Sequence, residues 1–285
     1  MRVGLAQIRP VLGRVEENLK LHREMIRRAE SERVDLLVFP ELSLTGYSLK
    51  DLTLDVARTL RDESIRRLVG ESGRIDLVFG LVEEGPGHLF YNAAVYASEG
   101  KIRHVHRKVY LPTYGMFEEA RHFARGRSFR SFETRFGRMG LLICEDAWHP
   151  SAPYLLVQDG AEFLLVLSNA PAKGMGARGM SAEETWYGLL TNHSLLHGTI
   201  TFYTNRVGTE DGITFFGGSA AIDPFGRILA RGERFEPQLV MIDVNPEDVR
   251  LARYQMPMLR DEDLELTARE IERIVKRRSE GRELP

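Results

Sequence analysis

Three polar residues stand where apolar runs stop. Cys144, the only cysteine in the chain, ends the run Met139-Gly-Leu-Leu-Ile and is followed at once by Glu145-Asp146-Ala-Trp148. Glu41 follows Leu36-Leu-Val-Phe-Pro, and Lys108 closes a strand-like stretch that begins at Lys101. Each has an ordinary explanation when taken alone: a free cysteine packs as a small hydrophobe, and a lone glutamate or lysine forms a surface ion pair of little energetic weight. Their chemistry is nevertheless complementary. A thiol with a pKa of about 8.5 is mostly protonated at neutral pH and needs a base or a nearby cation to act as a nucleophile. Glu41 supplies a base. Lys108 supplies a fixed positive charge for a tetrahedral oxyanion, a role worth on the order of 3 kcal/mol of barrier. No histidine lies inside the cysteine or glutamate motif, which argues against a Cys-His pair; His149, the nearest, reads as a loop residue.

The segment His106-Arg-Lys108-Val-Tyr-Leu-Pro-Thr-Tyr114-Gly-Met-Phe117-Glu-Glu119-Ala-Arg121 adds a loop rich in aromatics and acids after the lysine. With the glutamate and cysteine motifs, in this order, it resembles the nitrilase superfamily of carbon-nitrogen hydrolases. The resemblance extends to Met1-Arg-Val-Gly-Leu-Ala-Gln7 as a first strand and to Thr214-Phe-Phe-Gly-Gly-Ser219-Ala-Ala-Ile-Asp223 as a late strand of the core. It implies a Glu-Lys-Cys triad of Glu41, Lys108 and Cys144, and a substrate-positioning glutamate at Glu119.

Within that superfamily the chain is most similar to the glutaminase domain of glutamine-dependent NAD synthetases. Tyr47, six residues after the glutamate, carries this likeness, as do Tyr114-Gly-Met-Phe117, the Cys-Glu-Asp-Ala-Trp string and Tyr203-Thr-Asn205-Arg-Val-Gly208. Those glutaminases hold the amino-acid end of glutamine with Asn-Ala-Ser-Pro and a later arginine. Here the segment reads Ser168-Asn169-Ala170-Pro171-Ala172-Lys173: the serine is missing, and Arg178 stands for the arginine. The implied substrate contacts are Tyr47, Tyr114, Phe117, Glu145, Trp148, Asn169 and Arg178.

The expected activity is therefore that of an amidase cleaving a small-molecule amide through a cysteine thioester, with the oxyanion held by Lys108 and the backbone N–H of Glu145. Two alternatives stay open. One is a glutaminase that delivers ammonia to a separate synthetase subunit; the other is a catalytically silent binding module on the same scaffold.

Such a site needs strands to present it. Val15, Leu19, His22, Ile26 and Ala29 recur at spacings of three and four, which predicts an amphipathic helix with His22 on its apolar stripe. Further helices are expected near Thr53 to Leu68, Tyr154 to Gln158 and Ser181 to His197. Strands are expected at Asp35 to Phe39, Asp76 to Val82, Tyr91 to Ala97, Lys101 to Lys108, Phe129 to Thr134, Arg138 to Cys144, Phe163 to Ser168, Thr199 to Thr204, Ser219 to Asp223 and Leu239 to Val244. Strands interleaved with helices indicate an α/β protein with both sheet faces covered, and the family resemblance makes this an αββα four-layer sandwich. Reacting groups then belong at the carboxyl ends of strands. One domain over residues 1–285 is expected, with a helical tail over residues 260–285 that either docks on its own domain or joins subunits of a homo-oligomer.

Composition narrows the partners. A net charge of −2 over 285 residues gives no reason to expect nucleic acid or an anionic membrane. No apolar run approaches the roughly 18 residues of a membrane span, and the opening Arg2-Val-Gly-Leu-Ala-Gln-Ile8 reads as a strand rather than a leader. A single cysteine forms no internal disulfide, which suits a reducing cytoplasm. Gly174-Met-Gly176-Ala-Arg-Gly179 matches a dinucleotide fingerprint only formally, since no acidic residue follows to hold a ribose, and it reads as a pocket loop. His193 and His197 have helical spacing but no adjacent glutamate or further ligand. No metal and no cofactor are expected.

Overall fold

Apolar runs uninterrupted by polar residues need both faces covered, and the computed structural model, which describes residues 1–176 and 179–280, shows how that is done. Strands β1 (Arg2–Gln7), β2 (Leu36–Val38), β3 (Asp76–Glu84), β4 (Phe90–Ser98) and β5 (Lys101–Arg107) form one six-stranded sheet, with β16 (Gln238–Asp243) at its far edge beside β1. The second sheet contains β6 (Phe132–Thr134), β7 (Gly137–Ile143), β8 (Phe163–Ser168), β11 (Ile200–Asn205), β14 (Ala220–Ile222) and β15 (Ile228–Arg231), in the order β15-β14-β11-β8-β7-β6. Both sheets are mixed: β1, β2 and β3 run parallel, as do β7, β8 and β11, while the edges are antiparallel. Two short pairs lie outside them, β9 (Met175–Gly176) with β10 (Gly179–Met180) and β12 (Val207–Glu210) with β13 (Ile213–Phe216).

The sheets pack face to face. Val3, Leu5, Val38 and Val78 of the first meet Leu141, Ile143, Leu165 and Phe202 of the second in one buried cluster. Alternate residues point outwards, where helices cover them. On the first sheet these are α1 (Val15–Ser31) and α2 (Glu63–Gly70), through Leu19, Ile26, Ile65 and Leu68. On the second they are α3 (Ser151–Gln158) and α4 (Ser181–His197), through Leu156, Trp186 and Leu190. The order helix, sheet, sheet, helix is the expected αββα sandwich.

Several elements differ in extent from the periodicity. The stretch expected as one helix from Thr53 is two, a short turn at Thr53–Val56 and the helix at Glu63–Gly70. Between them Arg58 leaves the helical path to exchange backbone hydrogen bonds with β3, its N–H donating to Val82 and its C=O accepting from Glu84. The strand expected from Phe129 begins only at Phe132, and the run Thr214–Asp223 divides between β13, paired with β12, and β14, paired with β11. The tail is helical over Leu264–Ser279, but no residue of that helix is buried, and Leu264, Ile271 and Val275 are about half exposed. Among the described residues no helix is long and apolar enough to cross a membrane.

Candidate active site

Glu41, Lys108 and Cys144 lie just beyond the carboxyl ends of β2, β5 and β7. Register brings them together. β2 and β5 belong to the first sheet and β7 to the second, and all three ends open at the same edge of the sandwich.

Glu41 is fully buried. Its Oε1 accepts the Lys108 ammonium at 2.7 Å and the Asn92 side-chain amide at 2.8 Å. Asn92, on β4, also accepts the Lys108 backbone N–H through its own C=O at 2.9 Å. One residue thus fixes both partners of the pair. Lys108 donates a second bond, also 2.7 Å, to Oε1 of Glu119, which in turn accepts the Tyr47 hydroxyl at 2.7 Å. An isolated buried charge is prohibitively expensive; here one ammonium and two carboxylates neutralise each other in part, and Asn92 and Tyr47 supply neutral donors.

Burial works against the Lys108 charge, but Glu119 and Glu41 outweigh it and hold the amine well above an ordinary lysine. Burial lifts the Glu119 carboxyl to about 7, with Lys108 opposing and Glu41 adding to the rise. For Cys144, burial and Glu41 push the thiol up, and Lys108 and a hydrogen bond from Ser168 pull it down. The upward influences win, so the resting form is the thiol. Tyr47 is raised by burial and by Glu119, which leaves it a phenol hydrogen-bond donor.

Two buried carboxylate oxygens, Glu41 Oε2 and Glu119 Oε2, have no hydrogen-bond partner among the described residues. Such groups are costly unless something completes them. Lysine has three N–H donors, and the two carboxylates use two. The cluster therefore offers one free base oxygen, one free acceptor and one free N–H.

Local geometry presents the thiol. Cys144 begins a 3-10 turn, Cys144–Trp148, and has φ +46°, a left-handed conformation strained for a residue with a side chain and often kept at functional sites. The first amides of such a turn lack intrahelical acceptors, which leaves the Glu145 N–H without a partner inside the turn. Asp146 braces the turn. Its Oδ1 accepts the N–H groups of Val109 and Tyr110 at 3.0 Å each, and its Oδ2 accepts those of Ile143 at 3.1 Å and His106 Nε2 at 2.8 Å.

Close approach of the backbone decides where the acid and lysine sit. A Cβ on Gly80 of β3 would stand 2.3 Å from the Leu42 nitrogen and 2.9 Å from the Glu41 carbonyl carbon. One on Gly126 would stand 1.9 Å from the Arg107 oxygen. Helix α1 holds the Glu41 turn from the other side: His22 stacks on Phe39 with ring centroids 4.0 Å apart, and its Nε2 meets Ser43 Oγ at 3.0 Å.

Cys144 opens into a cavity of about 350 Å³ walled by Tyr114, Phe117, Glu145, Trp148, Lys173 and Trp186, among others. Tyr114 donates to Glu145 at 2.9 Å, and the Lys173 ammonium lies 5.0 Å from the Phe117 ring centre. A groove of similar volume, about 360 Å³, around His104, Arg125 and Arg130 contains none of these groups. Of the residues expected to bind substrate, Tyr114, Phe117, Glu145 and Trp148 line the cavity, and Tyr47 reaches the site through Glu119. Asn169 does not line it; it is buried one residue before the wall residue Ala170, with neither amide atom hydrogen-bonded among the described residues. Arg178 lies outside the described residues. His149, expected in a loop, is in one, its ring stacked on Tyr110.

Sequence reasoning assigned no role to Asn92, Asp146, Ser168 or Glu210. Glu210, buried and paired with Arg206 at 2.5 Å, accepts the N–H groups of Tyr47 and Ser48 at 2.8 and 2.6 Å. Asp146 stood in the quoted Cys-Glu-Asp-Ala-Trp string, and its acidity inside an aromatic turn was the available signal.

Two mixed sheets between helix layers, with an acid, a lysine and a thiol gathered where the two sheets open, define a protein of the nitrilase fold. The chain belongs to the carbon-nitrogen hydrolase family, whose model matches residues 2–254. It is 32% identical over 253 residues to a glutamine-dependent NAD(+) synthetase of Thermotoga maritima, covering 87% of this chain and 42% of that protein. The chain spans half or less of the length of the curated synthetases it matches. Among solved structures it is similar to an amidase from Nesterenkonia sp., with 26% identity, a TM-score of 0.78 and coverage of 94% and 95% of the two chains. A carbon-nitrogen hydrolase from Helicobacter pylori G27 shares the fold, with a TM-score of 0.84 at 24% identity over 93% and 96%.

Proposed function

We propose that this protein is an amidase that cleaves a small-molecule amide through a thioester on Cys144. The observation that carries the reading is the Lys108 ammonium, buried and bonded at 2.7 Å to both Glu41 and Glu119 beside the only thiol. Glu41 Oε2, the unpartnered oxygen, takes the thiol proton as sulfur attacks the amide carbon. The oxyanion is met by the third N–H of Lys108 and the N–H of Glu145. The C–N bond breaks, Glu41 returns the proton to nitrogen, and ammonia or an amine leaves. Water then gives a proton to Glu41 and its oxygen to the thioester; the C–S bond breaks, and the sulfur recovers the proton. Glu119 Oε2 is free to accept an N–H of the substrate amide.

The neighbouring amidase supports the reading, since its structures include one with acrylamide added at the active-site cysteine. Ammonia release from a panel of small amides, run beside Cys144→Ala, is the test. Turnover that survives in that variant, with the fold intact, overturns the proposal.

A second reading rests on the cavity wall. Lys173 and Glu145 place one cation and one anion at the mouth of the site, which suits an amide whose far end is a carboxylate or an amino acid. Glutamine has that form, and the curated relatives are glutamine-dependent. In this reading the chain is a glutaminase that passes ammonia to a separate synthetase subunit. Glutamine hydrolysis that rises when such a subunit is added supports it; turnover of other amides with none of glutamine removes it.

A further inference from the structure

Strands β7 and β8 run parallel with Ile143 opposite Leu167, so the next residue on each, Cys144 just past the end of β7 and Ser168 at the end of β8, stand side by side. Ser168 is fully buried, and its hydroxyl donates to Cys144 Sγ at 3.4 Å. A thiol is a weak acceptor, whereas hydrogen bonds to an ionised acceptor are roughly twice as strong. The bond therefore gains strength as negative charge develops on sulfur, the condition under which a contact lowers a barrier rather than merely binding. No other hydroxyl or amide side chain donates to this sulfur among the described residues. On its other side Ser168 meets the hydroxyl of Tyr203 on β11, a fully buried residue stacked on Trp186, and their hydrogen bond ties the serine between the sulfur and the phenol.

We propose that Ser168 is a further catalytic residue of this site, a fixed donor that stabilises the Cys144 sulfur whenever it carries charge. This rests on the reading of Cys144 as the nucleophile. In acylation the thiol proton goes to Glu41, the sulfur pair forms the C–S bond, and the Ser168 O–H stays intact. In deacylation the C–S pair returns to sulfur, and Ser168 holds that thiolate until Glu41 returns the proton. A side chain that only fills space at the end of β8 would do none of this.

The test reads the thiol directly. Alkylation of Cys144 by iodoacetamide is followed against pH in the wild type, Ser168→Ala and Ser168→Thr, with Cys144→Ala as the control for site. In Ser168→Ala the midpoint is expected to rise by about one pH unit and kcat to fall about tenfold, with the thermal midpoint of unfolding unchanged; Ser168→Thr restores both. A folded Ser168→Ala with the wild-type midpoint and kcat overturns the proposal. Should the alanine variant not fold, Ser168→Thr and Ser168→Val, which differ by one hydroxyl at constant shape, carry the same comparison. Because alkylation needs no substrate, a shifted midpoint in a protein that hydrolyses no amide leaves the role of Ser168 standing and removes the amidase reading instead.

Discussion

Asp146 and His106 are hydrogen-bonded at 2.8 Å between the turn that carries Cys144 and the strand that ends at Lys108. With the backbone N–H groups of Ile143, Val109 and Tyr110 on the same carboxylate, this contact ties the turn of Cys144 to the strand end at Lys108. Asp146→Asn keeps the shape but turns an amide donor towards donors. The expected loss is about 3 kcal/mol of stability, as for removing a buried acceptor and leaving its hydrogen-bond donors unpaired, and about a hundredfold in kcat from misplacement of the reacting groups. Urea unfolding and steady-state kinetics measure both; a variant with wild-type kcat would show that the site does not depend on this clamp.

Gly80 makes room for the Glu41 turn. Gly80→Ala places a methyl 2.3 Å from the Leu42 nitrogen, where only backbone can give way. Overpacking of this kind costs about 2 kcal/mol, and the shift falls on Glu41. Activity is expected to drop more steeply than stability does, which kcat and the thermal midpoint, measured on one preparation, will separate.

His22 gives the fold an acid limit. Burial lowers its pKa to about 4, against a backbone hydrogen bond to Asn18 that raises it. The folded state thus prefers the neutral ring, with Nδ1 donating to the Asn18 carbonyl at 2.7 Å. Since the folded pKa lies below the unfolded value of about 6.5, the unfolded chain binds the extra proton between these values. Stability is fully present above pH 6.5 and falls as pH drops towards 4, by about 3 kcal/mol for this group. His22→Gln should flatten that part of the stability profile in denaturant titrations at successive pH values; an unchanged slope would assign acid sensitivity to other groups.

Glu119, held up to about 7 mainly by burial, titrates near neutrality. Below that value the carboxyl is protonated and loses acceptor capacity for a substrate N–H, so KM is expected to rise as pH falls through 7. Glu119→Gln should remove this dependence at the expense of a higher KM throughout. A KM that is flat with pH in the wild type would detach Glu119 from substrate binding.

Lys173 is placed to choose among substrates. Lys173→Met is expected to raise KM about tenfold, some 1.4 kcal/mol, for amides whose far end is a carboxylate, and to leave neutral amides unaffected. Equal effects on both classes would exclude charge recognition by this residue.

What the sequence determined by itself was most of the strands and helices of the sandwich and the polar residues that end three of those strands. Glu41, Lys108 and Cys144 were legible because a polar residue that terminates an apolar run must emerge at a strand end, and the αββα architecture followed from the family resemblance of those motifs. Glu119 and Tyr47 were legible through that resemblance alone. Only the tertiary structure decided which atoms meet. Asn92 lies 51 residues from Glu41, and Asp146 lies 40 from His106; such contacts depend on strand register and on how two sheets are laid together, neither of which leaves a local pattern. Ser168 ended a predicted strand like any other residue until parallel pairing of β7 and β8 set it beside Cys144. The helix expected from Thr53 broke for the same reason, because the backbone of Arg58 found partners on β3. Local propensity fixes the pieces, and long-range hydrogen bonding and packing choose their neighbours.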